Sequence, residues 1–192
     1  LAKIDGIKSV SGLQNYLIEA TKNGENPFYA WGIDADLKDT KMNAVYLGNA
    51  SLGMGRDYYQ KDNPKNAEAM AEYTKYVASM LDVLGYKNSS ATAQNIVKFE
   101  KSIAKTYLTN EQIRDATLQY NPKTMTELSA LVKNVNLPKY LAAVGVKTDK
   151  VIVGELNYYK NLDQFINQKN LPLIKDYMKF HLLSGSASYL SK

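Results

Sequence analysis

Asn63-Pro64-Lys65-Asn66-Ala67-Glu68-Ala69-Met70-Ala71-Glu72-Tyr73-Thr74-Lys75-Tyr76-Val77-Ala78-Ser79-Met80-Leu81-Asp82-Val83-Leu84-Gly85 is the stretch that decides the fold class. Asn63 can cap a helix, and Pro64 fits the first helical position, where its missing N–H costs nothing. Ala67, Met70, Ala71, Thr74, Val77, Ala78, Leu81 and Leu84 then recur at three- and four-residue steps, an apolar stripe for one helix face, and Gly85 stops it. A helix this long cannot bury its stripe alone, so it implies further helices beside it.

Those partners are legible on both sides. Upstream, Ser11-Gly12-Leu13-Gln14 reads as a capping box, with Leu13, Leu17 and Ala20 at helical spacing and Gly24 as the stop. Downstream, a helix over about 90–108 is expected to bury Ala93, Ile96, Val97, Ile103, Ala104 and Tyr107. Thr109 to Gln112 repeats the capping-box pattern, Asn121-Pro122 breaks the chain, and Thr124-Met125-Thr126-Glu127 starts a short helix. Leu137 to Val144 is a helix stopped by Gly145, Glu155 to Asn167 is helical, and Pro172 opens a last helix through about Leu183, with an extension toward Tyr189. Strand patterns are few. Phe28 to Asp36 and Ala44 to Gly48, with Asp39-Thr40-Lys41 between them, predict a hairpin placing Tyr29, Trp31 and Ile33 on one face and Ala30, Gly32, Asp34 and Asp36 on the other. Lys150 to Val153 reads as one more brief strand. The fold class is mainly α: a multi-helical domain with a small antiparallel β-hairpin.

Composition narrows the function. The 192 residues carry a net charge of +5, almost all from lysine, since Arg56 and Arg114 are the only arginines. Nucleic-acid surfaces favour arginine for bidentate contacts, and these lysines are scattered among 19 acidic residues, so no nucleic-acid partner is expected. No apolar run is long enough to cross a bilayer. Cysteine is absent, which excludes disulfides and suits a bacterial protein, cytoplasmic or exported. Tyrosine is unusually common, 15 against 4 Phe and 1 Trp, and suits half-exposed helix faces and cavity walls. The opening Leu1-Ala2-Lys3 lacks a methionine and reads as internal to a longer polypeptide.

Chemistry-bearing residues are scarce. His181 is the one histidine, too few for a H-E-x-x-H zinc helix, and without cysteine no thiol–imidazole pair can form. On an apolar helix between Phe180 and Leu182 it reads as a packed residue rather than a ligand. Asp34, Asp36 and Asp39 fail the calcium-loop pattern and fit a polar strand face entering a turn. Gly48, Gly53 and Gly55 form no phosphate fingerprint and are expected to supply positive φ in a turn. Arg56-Asp57-Tyr58-Tyr59 could clamp a loop, the stronger reading, or touch a peptide's backbone or carboxylate. Glu100, Glu111 and Glu127 stand on separate elements, which leaves little for a carboxylate-only enzyme. Asn49-Ala50-Ser51 and Asn88-Ser89-Ser90 match the glycosylation pattern, which such a composition generates easily by chance.

The segment from Asn26-Pro27-Phe28-Tyr29-Ala30-Trp31-Gly32-Ile33-Asp34-Ala35-Asp36 through Asn43-Ala44-Val45-Tyr46-Leu47 to Leu52-Gly53-Met54-Gly55-Arg56-Asp57-Tyr58-Tyr59, together with Lys98 to Ala104, Tyr120 to Leu128, Tyr177 to Leu183 and Tyr189-Leu190-Ser191, resembles the amino-terminal domain of the neprilysin-type zinc endopeptidases, the group that contains bacterial endopeptidase O. The family reads Gly-Leu-Pro-x-Arg-Asp-Tyr-Tyr where Gly53-Met54-Gly55-Arg56 is one residue shorter and lacks the proline. The resemblance implies that residues 1–192 are part of a lid domain, with the last helices, about 171–192, assignable to the catalytic side. It implies zinc in the full-length enzyme and none in this portion, with the zinc ligands beyond Lys192. Expected partners are oligopeptide substrates and the catalytic domain of the same polypeptide. No catalytic or metal-binding residue is expected here; Arg56, Asp57, Tyr58 and Tyr59 are the candidates for substrate contact. The competing reading is a stand-alone helical module that binds a peptide or protein without hydrolysing it.

Overall fold

The computed structural model describes residues 1–190, with the side chains of 187–190 left aside. In chain order the elements are α1 (Ala2–Asp5), α2 (Val10–Lys22), β1 (Trp31–Ala35), β2 (Asn43–Leu47), α3 (Arg56–Gln60), α4 (Pro64–Val83), α5 (Ser89–Ala104), β3 (Asn121–Thr124), α6 (Met125–Leu131), α7 (Leu137–Ala143), β4 (Lys150–Val153), α8 (Leu156–Lys160), α9 (Leu162–Phe165) and α10 (Leu171–Leu190). Two 3-10 turns, Gln112–Arg114 and Ala116–Gln119, lead into β3. The chain is mainly α, as its periodicity requires.

Helix α4 begins where its sequence says: the Asn63 side chain accepts from Asn66 N at 2.9 Å, with Pro64 in the first turn. Its buried stripe is narrower than the spacing suggests. Tyr73, Val77 and Leu81 are buried, Met70, Thr74, Ala78 and Leu84 partly so, and Ala67 and Ala71 are exposed. Helix α2 starts two residues earlier than its capping box predicts. Ser9 is the cap, accepting from Gly12 N at 3.0 Å, while Gln14 is buried and exchanges two bonds with the Asn136 main chain, at 2.7 and 3.2 Å. A glutamine satisfied by a distant segment is not available to its own helix start. The patterns at Thr109–Gln112 and Thr124–Glu127 do form reciprocal caps. Gly24, Gly85 and Gly145 all take positive φ just beyond helix ends.

Helix α5 ends at Ala104 rather than running on to Leu108, because the following chain is held from outside: Leu108 N donates to Glu155 Oε2 at 2.8 Å. Tyr107 is still buried, donating its hydroxyl to Ala50 O at 2.9 Å. The expected helix over 155–167 splits into α8 and α9 at Asn161, whose amide bonds back to Asn157 O at 2.7 Å.

The hairpin forms with β1 and β2 antiparallel, Trp31 opposite Leu47 and Ala35 opposite Asn43. Two strands extend it into a mixed sheet of order β1-β2-β4-β3, with β2 parallel to β4 and β4 antiparallel to β3. Asn121-Pro122, expected only as a break, lies inside β3. Proline is tolerated there because β3 is an edge strand, so its missing N–H leaves no ladder bond unmade.

Tyrosine proves to be a core residue more than a half-exposed one. Tyr29, Tyr59, Tyr140, Tyr158, Tyr159 and Tyr177 are among the largest fully buried side chains. Burial pushes the hydroxyls of Tyr158, Tyr159 and Tyr177 well above their ordinary pKa, which keeps them protonated as donors. Their acceptors are main-chain carbonyls flanking the hairpin: Tyr158 reaches Phe28 O at 2.8 Å, Tyr159 reaches Gly48 O at 2.6 Å, and Tyr177 reaches Ser51 O at 2.5 Å. Tyr140 donates to Tyr29 O at 3.1 Å. Three helices, α7, α8 and α10, thereby tether the loops that hold the hairpin, satisfying carbonyls that burial would otherwise strand.

Candidate functional site

The four candidate residues Arg56, Asp57, Tyr58 and Tyr59 form most of helix α3, and its pitch divides them. Arg56, Tyr59 and Gln60 share one face by three- and four-residue spacing, and all three reach inward. Asp57 and Tyr58 are half-buried on the flank, where Asp57 Oδ2 lies 3.4 Å from Lys61 Nζ and Oδ1 has no partner among the described residues. These inward groups serve two clusters, Arg56 and Gln60 one and Tyr59 the other.

Arg56 enters the first. Its Nη1 donates to Leu108 O at 2.5 Å and to Glu155 Oε1 at 2.6 Å, and its guanidinium lies 5.3 Å from the Tyr107 ring centroid. Glu155 accepts Leu108 N with its other oxygen, so one carboxylate and one guanidinium close both polar groups of Leu108. Gln60 Nε2 adds bonds to Ala104 O at 2.9 Å and Tyr107 O at 3.1 Å. This is a clamp on the end of α5. It forms one wall of a groove of about 420 Å³ shared with Asp34, Tyr46, Asn49 and Tyr120.

Tyr59 enters the second. Its hydroxyl donates to Glu100 Oε2 at 2.6 Å, and Tyr73 donates to both Glu100 oxygens at 3.1 and 3.0 Å. His181 Nε2 lies 2.6 Å from Glu100 Oε1. Glu100 is fully buried, and its carboxylate joins α3, α4, α5 and α10. The Tyr59 and Tyr73 hydroxyls are pushed far up, first by burial and then by the adjacent Glu100 charge, so both stay donors. A buried carboxylate meeting three polar partners is satisfied where an unpaired one would not persist.

Above this cluster opens a cleft of about 650 Å³ lined by Tyr16, Asn26, Ser51, Gly53, His181 and Ser184, among others. Gly53 does not take positive φ, nor do Gly48 and Gly55; the left-handed glycines are Gly24, Gly85 and Gly145. What Gly53 provides is room. A methyl group there would fall on the Tyr73 hydroxyl and within 2.6 Å of its Cε2. The aspartates behave as turn residues. Asp36 accepts from Lys38 N at 2.9 Å and Tyr120 Oη at 2.7 Å, and Asp39 from Lys41 N at 3.2 Å. Glu111 pairs with Lys61 and Glu127 caps its own helix at Thr124, both on the surface and apart from Glu100.

Glu100 and Glu155 are the functional groups that sequence reading undervalued. For Glu100 a signal existed: it stands on the apolar stripe of α5, four residues after Ile96 and three before Ile103. For Glu155 none did, because its partner is 99 residues away.

Zinc does not fit these residues. Among the described residues no three His, Cys, Asp or Glu side chains converge, and the one imidazole nitrogen with a close partner is engaged by Glu100. No helix among the described residues is long and apolar enough to cross a membrane.

With this geometry in place, comparison with known proteins is informative. Neutral endopeptidase of Lactococcus lactis subsp. cremoris is 24% identical over 195 residues, covering 100% of this chain and 31% of the relative. Endothelin-converting enzyme 1 of Rattus norvegicus is 25% identical over 176 residues, covering 87% of the chain and 23% of the relative. The chain thus spans about a third or less of these relatives. Among solved structures, zinc metalloprotease ZMP1 of Mycobacterium tuberculosis superposes with TM-score 0.88 at 22% identity, over 98% of this chain and 29% of that one. PEPO from Lactobacillus rhamnosis superposes with TM-score 0.86 at 18% identity, over 98% and 31%; both likenesses speak to the fold. The family model described as "Peptidase family M13" matches residues 1–192 from end to end, and the chain belongs to this family as a neprilysin-type amino-terminal portion.

Proposed function

We propose that the chain is the non-catalytic helical portion of a zinc-dependent metalloendopeptidase that hydrolyses oligopeptides. In this reading it forms the wall and size filter over a zinc site supplied by the rest of the polypeptide. The observation that carries the reading is the pairing of an end-to-end family match with a sole histidine already bonded to buried Glu100. A zinc peptidase needs a converging set of metal ligands, and none is present among the described residues. Zinc, oligopeptide substrates and the catalytic domain are accordingly partners of the full-length enzyme. Arg56 and Tyr59 brace the wall from within, Asp57 and Tyr58 flank them, and residues 171–190 stay with this portion, because α10 carries His181 and Tyr177 into its core.

The test uses two samples. The full-length enzyme is assayed against one cleavage sequence presented in short peptides, long peptides and a folded protein, and residues 1–192 are assayed alone with zinc. Cleavage that falls steeply with substrate size, and no turnover by the portion alone, is the expected result. Chelator-sensitive turnover by residues 1–192, or equal cleavage of the folded protein, overturns the reading.

A further inference from the structure

The sheet has two edges, and they differ. Edge strands expose unpaired main-chain groups and are ordinarily blunted with lysine, proline or a bulge. At one edge β3 reads Asn121-Pro122-Lys123-Thr124 and carries both devices. At the other, β1 reads Trp31-Gly32-Ile33-Asp34-Ala35, with neither proline nor lysine.

The register states which groups of β1 are open. Gly48 N donates to Ala30 O and Asp36 N donates to Met42 O, both at 2.8 Å, so the even-numbered residues turn their main chain toward β2. By the two-residue alternation of an antiparallel pair, Trp31, Ile33 and Ala35 turn theirs outward. Ala35 is satisfied locally, its N–H by Asp34 Oδ1 and its C=O by Tyr46 Oη. The N–H and C=O of Trp31 and Ile33 meet no partner among the described residues.

An apolar surface accompanies this edge. Ile33 shares a sheet face with Val45, yet it is 62% exposed where Val45 is 8%. The core therefore thins out beyond β2: on β1 Trp31 is partly buried against it, while Gly32 to Ala35 are exposed. At the hairpin tip Leu37 follows on the same alternation and is 49% exposed; Met42, opposite Asp36 and 60% exposed, stands on the other face.

We propose that the rest of the polypeptide docks here, laying an extended segment along β1 that bonds to the main chain of Trp31 and Ile33 and covers Ile33 and Leu37. The proposal rests on the reading that this chain is part of a longer peptidase. About two thirds of the L. lactis relative lies outside the aligned region, enough chain to supply such a segment. Strand addition gains affinity from main-chain bonds and tolerates varied sequence, which suits an intramolecular seam.

The experiment is amide hydrogen exchange, resolved to single residues, on the full-length enzyme. The Trp31 and Ile33 amides are expected to exchange more than about tenfold slower than unprotected amides, independent of protein concentration and without added peptide. In full-length Ile33→Asp that protection is lost, while Leu47 and Val153 stay slow and report an intact sheet. If Ile33→Asp also releases Leu47 and Val153, Ile33→Thr is read in its place. Fast exchange at both residues overturns the docking, as does protection that appears only with a slowly cleaved peptide or only at dimer-forming concentration. Peptidase activity is read separately: an active, size-selective enzyme with an open β1 edge refutes the docking and spares the functional reading.

Discussion

Replacing Gly53 with alanine isolates one steric contact. The backbone at Gly53 has no positive φ, so alanine is conformationally allowed and the cost comes from the added methyl alone. That methyl lands on the Tyr73 ring, within 2.6 Å of Cε2, and something must move. If the loop shifts, the penalty is that of overpacking, about 1–3 kcal/mol. If Tyr73 shifts instead, its hydroxyl leaves Glu100 and a bond to a charged group worth about 1.5–3 kcal/mol is added to the loss. The expected destabilisation is about 1–3 kcal/mol in the first case and about 2.5–6 kcal/mol in the second, or a fall in Tm of about 2–24 °C across both for a chain of this size. Thermal and urea unfolding measure it, and the double variant assigns it: in a Tyr73→Leu background, Gly53→Ala is expected to cost under about 0.5 kcal/mol, because the obstructing ring is gone. A Gly53→Ala protein within 1 °C of wild type, on about the precision of such a scan, refutes the reasoning. A penalty unchanged by Tyr73→Leu refutes it equally.

Arg56→Ala leaves Glu155, with 8% of its side chain exposed, without its cation, and is expected to destabilise by about 3–5 kcal/mol. Urea unfolding reads that loss; were Arg56 a substrate contact instead, the full-length variant would keep its stability and lose peptide affinity. Asp36 is held below its ordinary value of 3.8, chiefly by the Lys38 N–H and then by the Tyr120 hydroxyl, whose own pKa is pushed up to about 12. A depressed carboxylate stabilises fully above its unfolded pKa and ceases to as pH falls through the folded one. The gap in urea midpoint between wild type and Asp36→Asn is therefore expected to be constant from pH 7 to about pH 5 and to narrow below 3.8; parallel curves throughout contradict the assignment.

What could be read from the chain, and what could not, follows the distance between the interacting residues. Asn63-Pro64 announced α4 correctly because a cap and its helix are neighbours. Gly24, Gly85 and Gly145 announced helix ends for the same reason. Ser11 to Gln14 misled because Gln14 has a partner 122 residues away, a competitor invisible locally. The Asn121-Pro122 pair reads as a break because an edge strand is defined by the sheet it joins. In Arg56 to Tyr59 the clustering of functional groups was visible, but not that Arg56 and Tyr59 would face Glu155 and Glu100. The excess of tyrosine was visible as well; only the fold reveals that it is spent on carbonyls beside the hairpin.

The parallel pairing of β2 with β4 bears on biosynthesis. β4 joins a hairpin that left the ribosome roughly a hundred residues earlier, so during translation both sides of that hairpin stand open. Closing so long a loop is entropically slow, and the sheet should be the last part of the domain to consolidate. A nascent chain halted before Lys150 would display Val45 and Leu47 beside an unfilled ladder, a natural substrate for chaperones and a seed for misassembly when they are scarce.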